Sequence, residues 1–151
     1  MDKLEFNLSH PSNGWINVKF RHLNFEINFI ASNIPENPIQ NLCNSLILTL
    51  NNIESEFYWN LEPEYFHFEF KFDKKNYILN ISKSISINND KKLIYKLIGD
   101  YESLILPFYR SLKKFNTLEL DEKNWKKLDN TSLDKLSNLV NIRKKSKKQT
   151  L

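Results

Sequence analysis

The chain has 151 residues, of which 40% are hydrophobic and 13% aromatic, and its formal net charge is +4. A domain of this length buries roughly 68–70% of its unfolded surface, so it needs neither a metal ion nor disulfides to fold. The lone Cys43 excludes an internal disulfide, and the apolar runs are far shorter than the roughly 20 residues of a membrane-spanning helix. The first residues hold no basic-then-apolar leader, so we expect no signal peptide and a cytoplasmic location.

Charge is unevenly distributed along the chain. Residues 1–73 carry a net charge of −6, residues 74–140 carry +5, and residues 141–151 carry five basic side chains and no acidic one. Such polarity can steer a charged partner to one face of a protein. Ordinary surface scatter with a solubilising tail produces the same counts, and the sequence leaves both interpretations open.

Alternating apolar and polar residues predict three strands in the first 30 residues. The alternation runs through residues 4–8, 16–20 and 25–29, with a turn-forming cluster at residues 10–14. A period of two places one face of each strand in a core and the other in water, which is typical of an antiparallel meander.

The hydrophobic period then changes to that of a helix. Asn37 is the predicted N-cap, Pro38 the first helical residue and Gln40 the partner in a capping box. Apolar residues at helical spacing from Ile39 to Ile53 predict a stripe that packs on the sheet. Cys43 lies in this stripe, so we interpret it as a buried small hydrophobe and not as a nucleophile.

The segment Phe57–Phe72 predicts a central hairpin. Two alternating runs flank the corner Glu62-Pro63-Glu64, where a proline fits because it cannot donate to a strand ladder. The phenylalanines from Phe66 to Phe72 share one face and are predicted to be core. The segment Tyr77–Ile87 alternates in the same way and predicts a sixth strand.

The last third of the chain predicts helices. Residues 88–90 are expected to end the sixth strand and to cap a long helix with apolar residues from Leu93 to Leu112. Pro107 lies inside that pattern, so we expect a kink or break near Leu106. A further capped helix is predicted to begin at Asn130.

These elements predict an α+β fold. Its sheet has six antiparallel strands, a helix is inserted after the third strand, and C-terminal helices pack on the sheet. The predicted domain covers residues 1–141, and residues 142–151 form a basic tail that we expect to be disordered.

The residue inventory offers little for catalysis. The three histidines, His10, His22 and His67, are scattered, so we expect no metal site. Two glycines in the whole chain cannot form a glycine-rich phosphate loop, and we expect no bound cofactor. The sequence therefore favours a protein that is not an enzyme.

One constellation at the hairpin has three interpretations. A period of two places Tyr65, His67, Glu69 and Lys71 on the face opposite the phenylalanines. A solvated strand face, a binding surface and an acid–base pair all fit this pattern, although an acid–base pair also requires positioned groups with perturbed pKa values.

Nucleic-acid binding has a separate candidate. The aromatic row of the hairpin is flanked by glutamates that repel phosphate, so it does not predict a base-stacking platform. The basic segment 143–148 resembles a polycation and predicts weak, non-specific affinity for phosphate. A nucleic-acid-associated accessory protein is therefore the alternative function.

Two local motifs carry a resemblance to a known group of proteins. Ser32-Asn33-Ile34-Pro35, followed by Pro38 at a helix start, is similar to a Ser-x-Ile-Pro…Pro-Leu motif, and the segment 59–63 matches Trp-x-Leu-Glu-Pro. Small bacterial proteins with these motifs resemble the immunity proteins of toxin–immunity systems, including contact-dependent growth inhibition. The likeness spans about residues 15–110 and concerns structural motifs.

The resemblance implies stoichiometric binding of a cognate protein toxin domain. Because a toxin domain that acts on nucleic acid is usually basic, an acidic surface with tyrosine anchors suits it as a binding site. The predicted partner-binding residues lie on or beside the hairpin. They are Glu54, Glu56, Tyr58, Glu62, Glu64, Tyr65, His67 and Glu69.

Overall fold

A computed structural model of the chain describes residues 1–87 and 90–150, with residues 147–150 as backbone only. The described residues form one antiparallel sheet of seven strands in sequence order. The strands are β1 (Glu5–Leu8), β2 (Trp15–His22), β3 (Phe25–Ser32), β4 (Ser55–Asn60), β5 (Tyr65–Asp73), β6 (Asn76–Ser84) and β7 (Lys92–Gly99). The helices are α1 (Pro38–Leu50), a π-helical turn (Tyr101–Ile105), α2 (Leu106–Phe115) and α3 (Asn130–Thr150). The α+β class and the helix after the third strand are confirmed.

The predicted count of six strands is wrong, because β7 replaces the first part of the predicted long helix. β7 pairs antiparallel with β6, with Leu97 opposite Leu79 and Tyr95 opposite Ile81. The run 92–98 fits both the helical and the strand period, and pairing with an existing strand edge decides between them. Two residues of the predicted helix cap, Asn88 and Asn89, lie outside the described residues.

The helical region begins at Asp100 instead. The Asp100 carboxylate accepts a hydrogen bond from the backbone nitrogen of Ser103 at 2.9 Å, and the Ser103 hydroxyl lies 3.0 Å from the Asp100 nitrogen. This reciprocal capping box satisfies two backbone donors of the π-helical turn. The break or kink expected near Leu106 is replaced by a change of helix type, since the π-helical turn ends at Ile105 and α2 starts at Leu106 with Pro107 in its first turn.

The start of α1 confirms one predicted cap and corrects the other. Asn37 accepts a hydrogen bond from the backbone nitrogen of Ile39 at 3.0 Å, and Pro38 is the first helical residue. Gln40 does not complete a capping box. Its side-chain oxygen accepts instead from the backbone nitrogen of Asp129 at 2.9 Å, which ties α1 to the residue that precedes α3.

The sheet folds back on itself between β3 and β4. These two strands are paired only at Ser32 and Asn60, whereas all other neighbouring strands pair over several residues. Phe25, at the start of β3, stacks on Tyr95 of β7 with ring centroids 4.1 Å apart. A residue of the third strand can contact the seventh only if the first three strands turn over the last four.

The core lies in this fold and is aromatic. Phe108 of α2 is fully buried and contacts rings from both parts of the sheet. Its neighbours are Phe6, Phe20, Phe68 and Phe70, with centroid distances from 4.7 to 6.4 Å. The helix α2 therefore provides the ring that fills the space between β1–β2 and β5.

The basic segment 143–148 is part of α3 and not a disordered tail, because the helix runs from Asn130 to Thr150. Asp129 precedes the first helical residue, and its carboxylate accepts a hydrogen bond from the Ser132 hydroxyl in the first turn at 3.1 Å. Leu136 and Val140 are buried, and α3 contacts α1 and α2. This packing fixes the helix start, and the helical backbone continues into the basic segment.

Replacing Phe108 with alanine is expected to destabilise the protein by about 3–5 kcal/mol, the usual cost of removing a buried aromatic ring. Chemical denaturation with circular dichroism measures this change in the free energy of unfolding. Leu93→Ala is the control, because Leu93 is exposed on β7 and surface substitutions usually change stability by less than about 0.5 kcal/mol. Equal losses in the two variants would contradict the assigned core.

Candidate functional site

The central hairpin is present with its predicted core face. β4 pairs with β5 from Ser55 opposite Phe70 to Asn60 opposite Tyr65. Trp59, Phe66, Phe68 and Phe70 are buried, as the alternation predicted. The corner is closed by a hydrogen bond from the Leu61 nitrogen to the Glu64 oxygen at 2.8 Å. The hairpin thus anchors its outer residues on a rigid aromatic layer.

The predicted acidic residues do not form a single patch. Glu54 and Glu56 lie at the start of β4, while Glu62 and Glu64 follow its end. Six strand residues at about 3.3 Å each separate the two pairs by roughly 17–20 Å. The carboxylates near the ends of β4 therefore form two separate groups, and only Glu62 and Glu64 belong to the turn.

Lysines also accompany three of the predicted carboxylates. The pairs are Glu56 with Lys91, Glu64 with Lys83 at 3.1 Å, and Glu69 with Lys71 at 3.8 Å. Each pair reduces the negative potential at its position, although exposed ion pairs contribute little stability. The outer face of β4–β6 is consequently a face of mixed charge.

His67 is the clearest departure from the sequence prediction. A solvated face and a binding surface, two of the three interpretations, both require an exposed side chain, yet only 6% of the residue is exposed. Its Nε2 atom is hydrogen-bonded to the Ser84 hydroxyl at 2.8 Å, and its Nδ1 atom lies 3.7 Å from a Glu56 oxygen. The rings of Tyr58 and Tyr65 flank it at 6.3 Å.

The burial of His67 has a non-local cause. Ser84 ends β6, and Lys91, just before β7, reaches across the sheet to Glu56 on β4. Both ends of the β6–β7 connection therefore contact the outer face of β4 and β5. The two residues that approach His67 here, Ser84 and Lys91, follow it by 17 and 24 positions. A local sequence pattern therefore could not predict its burial.

Burial lowers the pKa of His67, because the charged imidazolium loses its hydration inside the protein. The nearby Lys91 ammonium lowers this pKa further, and the Glu56 carboxylate opposes the shift. His67 is therefore neutral at pH 7. A neutral ring satisfies the Ser84 hydroxyl as either donor or acceptor, depending on its tautomer.

The spatial arrangement resembles that of a hydrolytic triad, in which an acid contacts a base and the base contacts a hydroxyl. The three groups are Glu56, His67 and Ser84. The nucleophile of a hydrolytic enzyme must be accessible to its substrate, whereas Ser84 is only 4% exposed. A substrate carbonyl therefore has no room beside its hydroxyl. Two open cavities lie on this side of the molecule, one of about 610 Å³ lined by Tyr65 and Ile85 among others and one of about 240 Å³ lined by Glu56 and Tyr58 among others, and neither is lined by Ser84 or His67. The geometry fits a buried polar network that ties the end of β6 to β4 and β5.

Exposed apolar side chains surround the hairpin turn. Ile85 is 70% exposed, Ile34 is 62% exposed and Ile87 is 51% exposed. Ile85 and Ile87 line the larger of the two open cavities together with Pro63, Tyr65 and Asn60, and the Asn60 side chain donates to the Ile34 carbonyl oxygen. We call the set Ile34, Glu62, Pro63, Tyr65, Ile85 and Ile87 the hairpin patch. Glu64 precedes Tyr65 in the chain, and the Glu36 carboxylate is close enough to act electrostatically on Tyr58, whose ring packs on Tyr65.

Sequence reasoning did not assign four members of this patch to the site: Ile34, Pro63, Ile85 and Ile87. Ile85 and Ile87 continue the period-two positions of the core residues Leu79 and Ile81, so the pattern predicted them on the buried face of a longer strand. β6 ends at Ser84 instead, and no glycine or proline marks that end. Ile34 is oriented by the hydrogen bond from the Asn60 side chain to its carbonyl oxygen at 2.6 Å, a contact across 26 positions.

Other predicted features have plain structural counterparts. Cys43 is fully buried, and burial raises the pKa of its thiol to about 12, so it is a weak nucleophile.

Among the described residues, no three histidine, cysteine, aspartate or glutamate side chains come together as metal ligands. In residues 1–87 and 90–150, no helix combines the length and apolar content needed to cross a bilayer.

The buried His67 should make stability depend on pH. As pH falls, the unfolded chain, with a histidine pKa near 6.5, takes up a proton before the folded chain does. The free energy of unfolding should therefore decrease as pH falls below about 6.5 and continue to decrease down to the folded pKa. Urea unfolding between pH 7.5 and 5.5 should show a smaller loss for His67→Gln, and an unchanged loss would contradict the assignment.

Ser84 should not react as a catalytic serine. A fluorophosphonate labels serines that are both activated and accessible, and Ser84 is buried. Mass spectrometry of the native protein after treatment is expected to show no adduct on Ser84. An adduct that disappears in His67→Gln would instead identify an accessible nucleophile and its base.

Comparison with known proteins gives no relative from which to transfer a role. No protein-family model, curated protein or solved structure matches the chain.

Proposed function

We propose that the chain is a non-catalytic inhibitor that binds and neutralises a basic protein toxin domain through the hairpin patch. The observation that carries the proposal is the group of exposed apolar side chains at the turn, with carboxylates at its border. Exposed apolar residues are common singly, but a contiguous group with a polar rim is typical of a protein-binding surface.

Tyr65 and the isoleucines supply the apolar part of this surface. Tyr65 is half-buried and packs edge-on against Tyr58, with ring centroids 5.2 Å apart. A ring held in this way loses little conformational entropy on binding, and tyrosines are enriched among residues that dominate binding energy. Ile85 and Ile87 extend the apolar area beside it.

The charge at the border favours a basic partner. Glu36 and Glu62 are exposed, whereas Glu64 forms an ion pair with Lys83. Carboxylates at the rim of an interface accelerate association with a cationic surface and disfavour acidic partners. The remaining predicted residues, Glu54, Glu56, His67 and Glu69, are distant from the turn or engaged within the sheet, so the proposed surface excludes them.

The two motifs that resemble immunity proteins meet at this surface. Asn60, within the Trp-x-Leu-Glu-Pro segment, donates to the carbonyl of Ile34 within the Ser-x-Ile-Pro segment. The same Asn60 side chain accepts from the backbone nitrogen of Glu62 at 2.9 Å. One amide thus fixes both motifs beside the patch, which supports a binding role for this end of the sheet in a cytoplasmic immunity protein.

The partner expected from this proposal is the protein encoded next to the chain. Co-expression should yield a stable complex, and the chain should protect cells against that protein. Replacing Ile85 and Ile87 together with serine should weaken binding at least about tenfold, because central apolar contacts carry much of the affinity. Isothermal titration calorimetry and a growth assay measure the two effects.

The matched control replaces Ile53 and Ile98 with serine. These isoleucines are 51% and 52% exposed and lie in the α1–β4 connection and on β7, away from the turn. The control should bind like the wild type. Failure of the neighbouring protein to bind, or equal losses in both double variants, would count against the hairpin patch as the binding site.

A further inference from the structure

A second surface lies at the other end of β5. An open groove of about 580 Å³ runs between the β5–β6 turn and α3. Its lining includes Lys74 and Lys75 from the turn, Arg143 from α3, and the rings of Phe72, Tyr77 and Tyr101. β5 has nine residues, so the groove is roughly 27 Å from the hairpin patch.

Cations in the groove come from two separate elements. Lys74 and Lys75 are exposed in the two-residue turn between β5 and β6, and Arg143 projects from α3. The side chain of Arg143 is oriented, because its guanidinium donates to the Tyr77 hydroxyl and lies over the Tyr77 ring at 5.8 Å. A guanidinium held in place gives up less entropy when it binds a phosphate.

The surroundings extend this positive charge. Arg110 on α2 is close enough to act electrostatically on Tyr101, as Arg143 does. Two of the three arginines in a chain with 19 lysines therefore lie around one tyrosine. Lys144 and Lys145 are exposed next to Arg143 on α3. Three carboxylates are adjacent in sequence to groove residues, and none of them lines the groove: Asp73, Asp100 and Glu102.

The groove also offers aromatic faces. Phe72 and Tyr101 are half-buried in its wall, and the Tyr101 hydroxyl donates to the Val140 carbonyl at 3.2 Å, which fixes the ring against α3. A positively charged groove with partly exposed rings suits single-stranded nucleic acid, because phosphates contact the cations and unpaired bases stack on the rings. A duplex keeps its bases stacked and cannot use those rings.

We propose that this groove binds single-stranded nucleic acid. Lys74, Lys75 and Arg143 contact the phosphates, and Phe72 and Tyr101 stack on bases. A polymer fits better than a single phosphate, because the groove is open and the exposed cations continue along α3 beyond it. The site is independent of the hairpin patch, so either surface can be disproved without the other.

The test uses fluorescence anisotropy with labelled oligo(dT) and oligo(U) 15-mers and a DNA duplex of equal length. We expect the wild type to bind the single strands more tightly than the duplex, with strong salt dependence. Replacing Lys74, Lys75 and Arg143 with glutamine should weaken single-strand binding at least about tenfold. It should also reduce the salt slope by about two, since each lost phosphate contact removes about 0.7.

A control with the same change in charge replaces Lys92, Lys123 and Lys126 with glutamine. These lysines are exposed outside the groove and should leave most of the binding intact. Phe72→Leu keeps every charge and should weaken binding to single strands without affecting duplex binding. Near-UV circular dichroism confirms that each variant is folded.

Three results would overturn the proposal. One is an equal loss in the two triple variants, which would indicate attraction by net charge alone. Another is duplex binding as tight as single-strand binding. The third is complete displacement of the oligonucleotide by micromolar concentrations of a mononucleotide, which would indicate a small phosphate ligand in place of a polymer.

Discussion

The insertion of Phe108 between the two parts of the sheet is the contact on which the rest of the structure depends. Pairing between β3 and β4 is reduced to one residue pair, so backbone hydrogen bonds alone do not fix the angle between the first three strands and the last four. The Phe108 ring packs on Phe6 from one side and on Phe68 and Phe70 from the other. Both proposed surfaces lie on strands that this contact positions.

With β5 held in this way, its two ends present different chemistry. One end carries a turn with exposed isoleucines and carboxylates, and the other carries Lys74 and Lys75 next to Arg143. The acidic first half and the basic second half of the sequence thus meet at β5, with carboxylates at its start and cations after its end. Lysines placed among the central glutamates make the middle of the outer face nearly neutral, and this part could not be derived from counts of charged residues.

Local patterns predicted the parts of the fold that local physics determines. The alternation in β2, β4 and β5 and the Asn37 cap all depend on residues a few positions apart. β7 was missed because its apolar residues fit two periods and its partner strand decided the outcome. Gly99 followed by Asp100 was the available signal, since a glycine disfavours a helix interior and an aspartate favours its start.

The candidate site was predicted less completely than the fold, for the same reason. Tyr65, Glu62 and Glu64 follow from the hairpin, whereas the burial of His67 depends on Ser84 and Lys91. Ile34 joins the patch only through the Asn60 amide. These contacts link segments 17 to 35 positions apart, and a single sequence contains no periodic signal for them.

The sheet also ends in a strand whose outer backbone edge has no neighbouring strand among the described residues. β7 is last in the strand order, and it carries Lys92 and Lys96 alongside the exposed Leu93 and Ile98. Lysines on such an edge disfavour strand addition from another molecule, because each added strand would bring like charges together and strip them of water. The two ammonium groups therefore disfavour open-ended polymerisation through the β7 edge, to which an exposed apolar edge strand is prone.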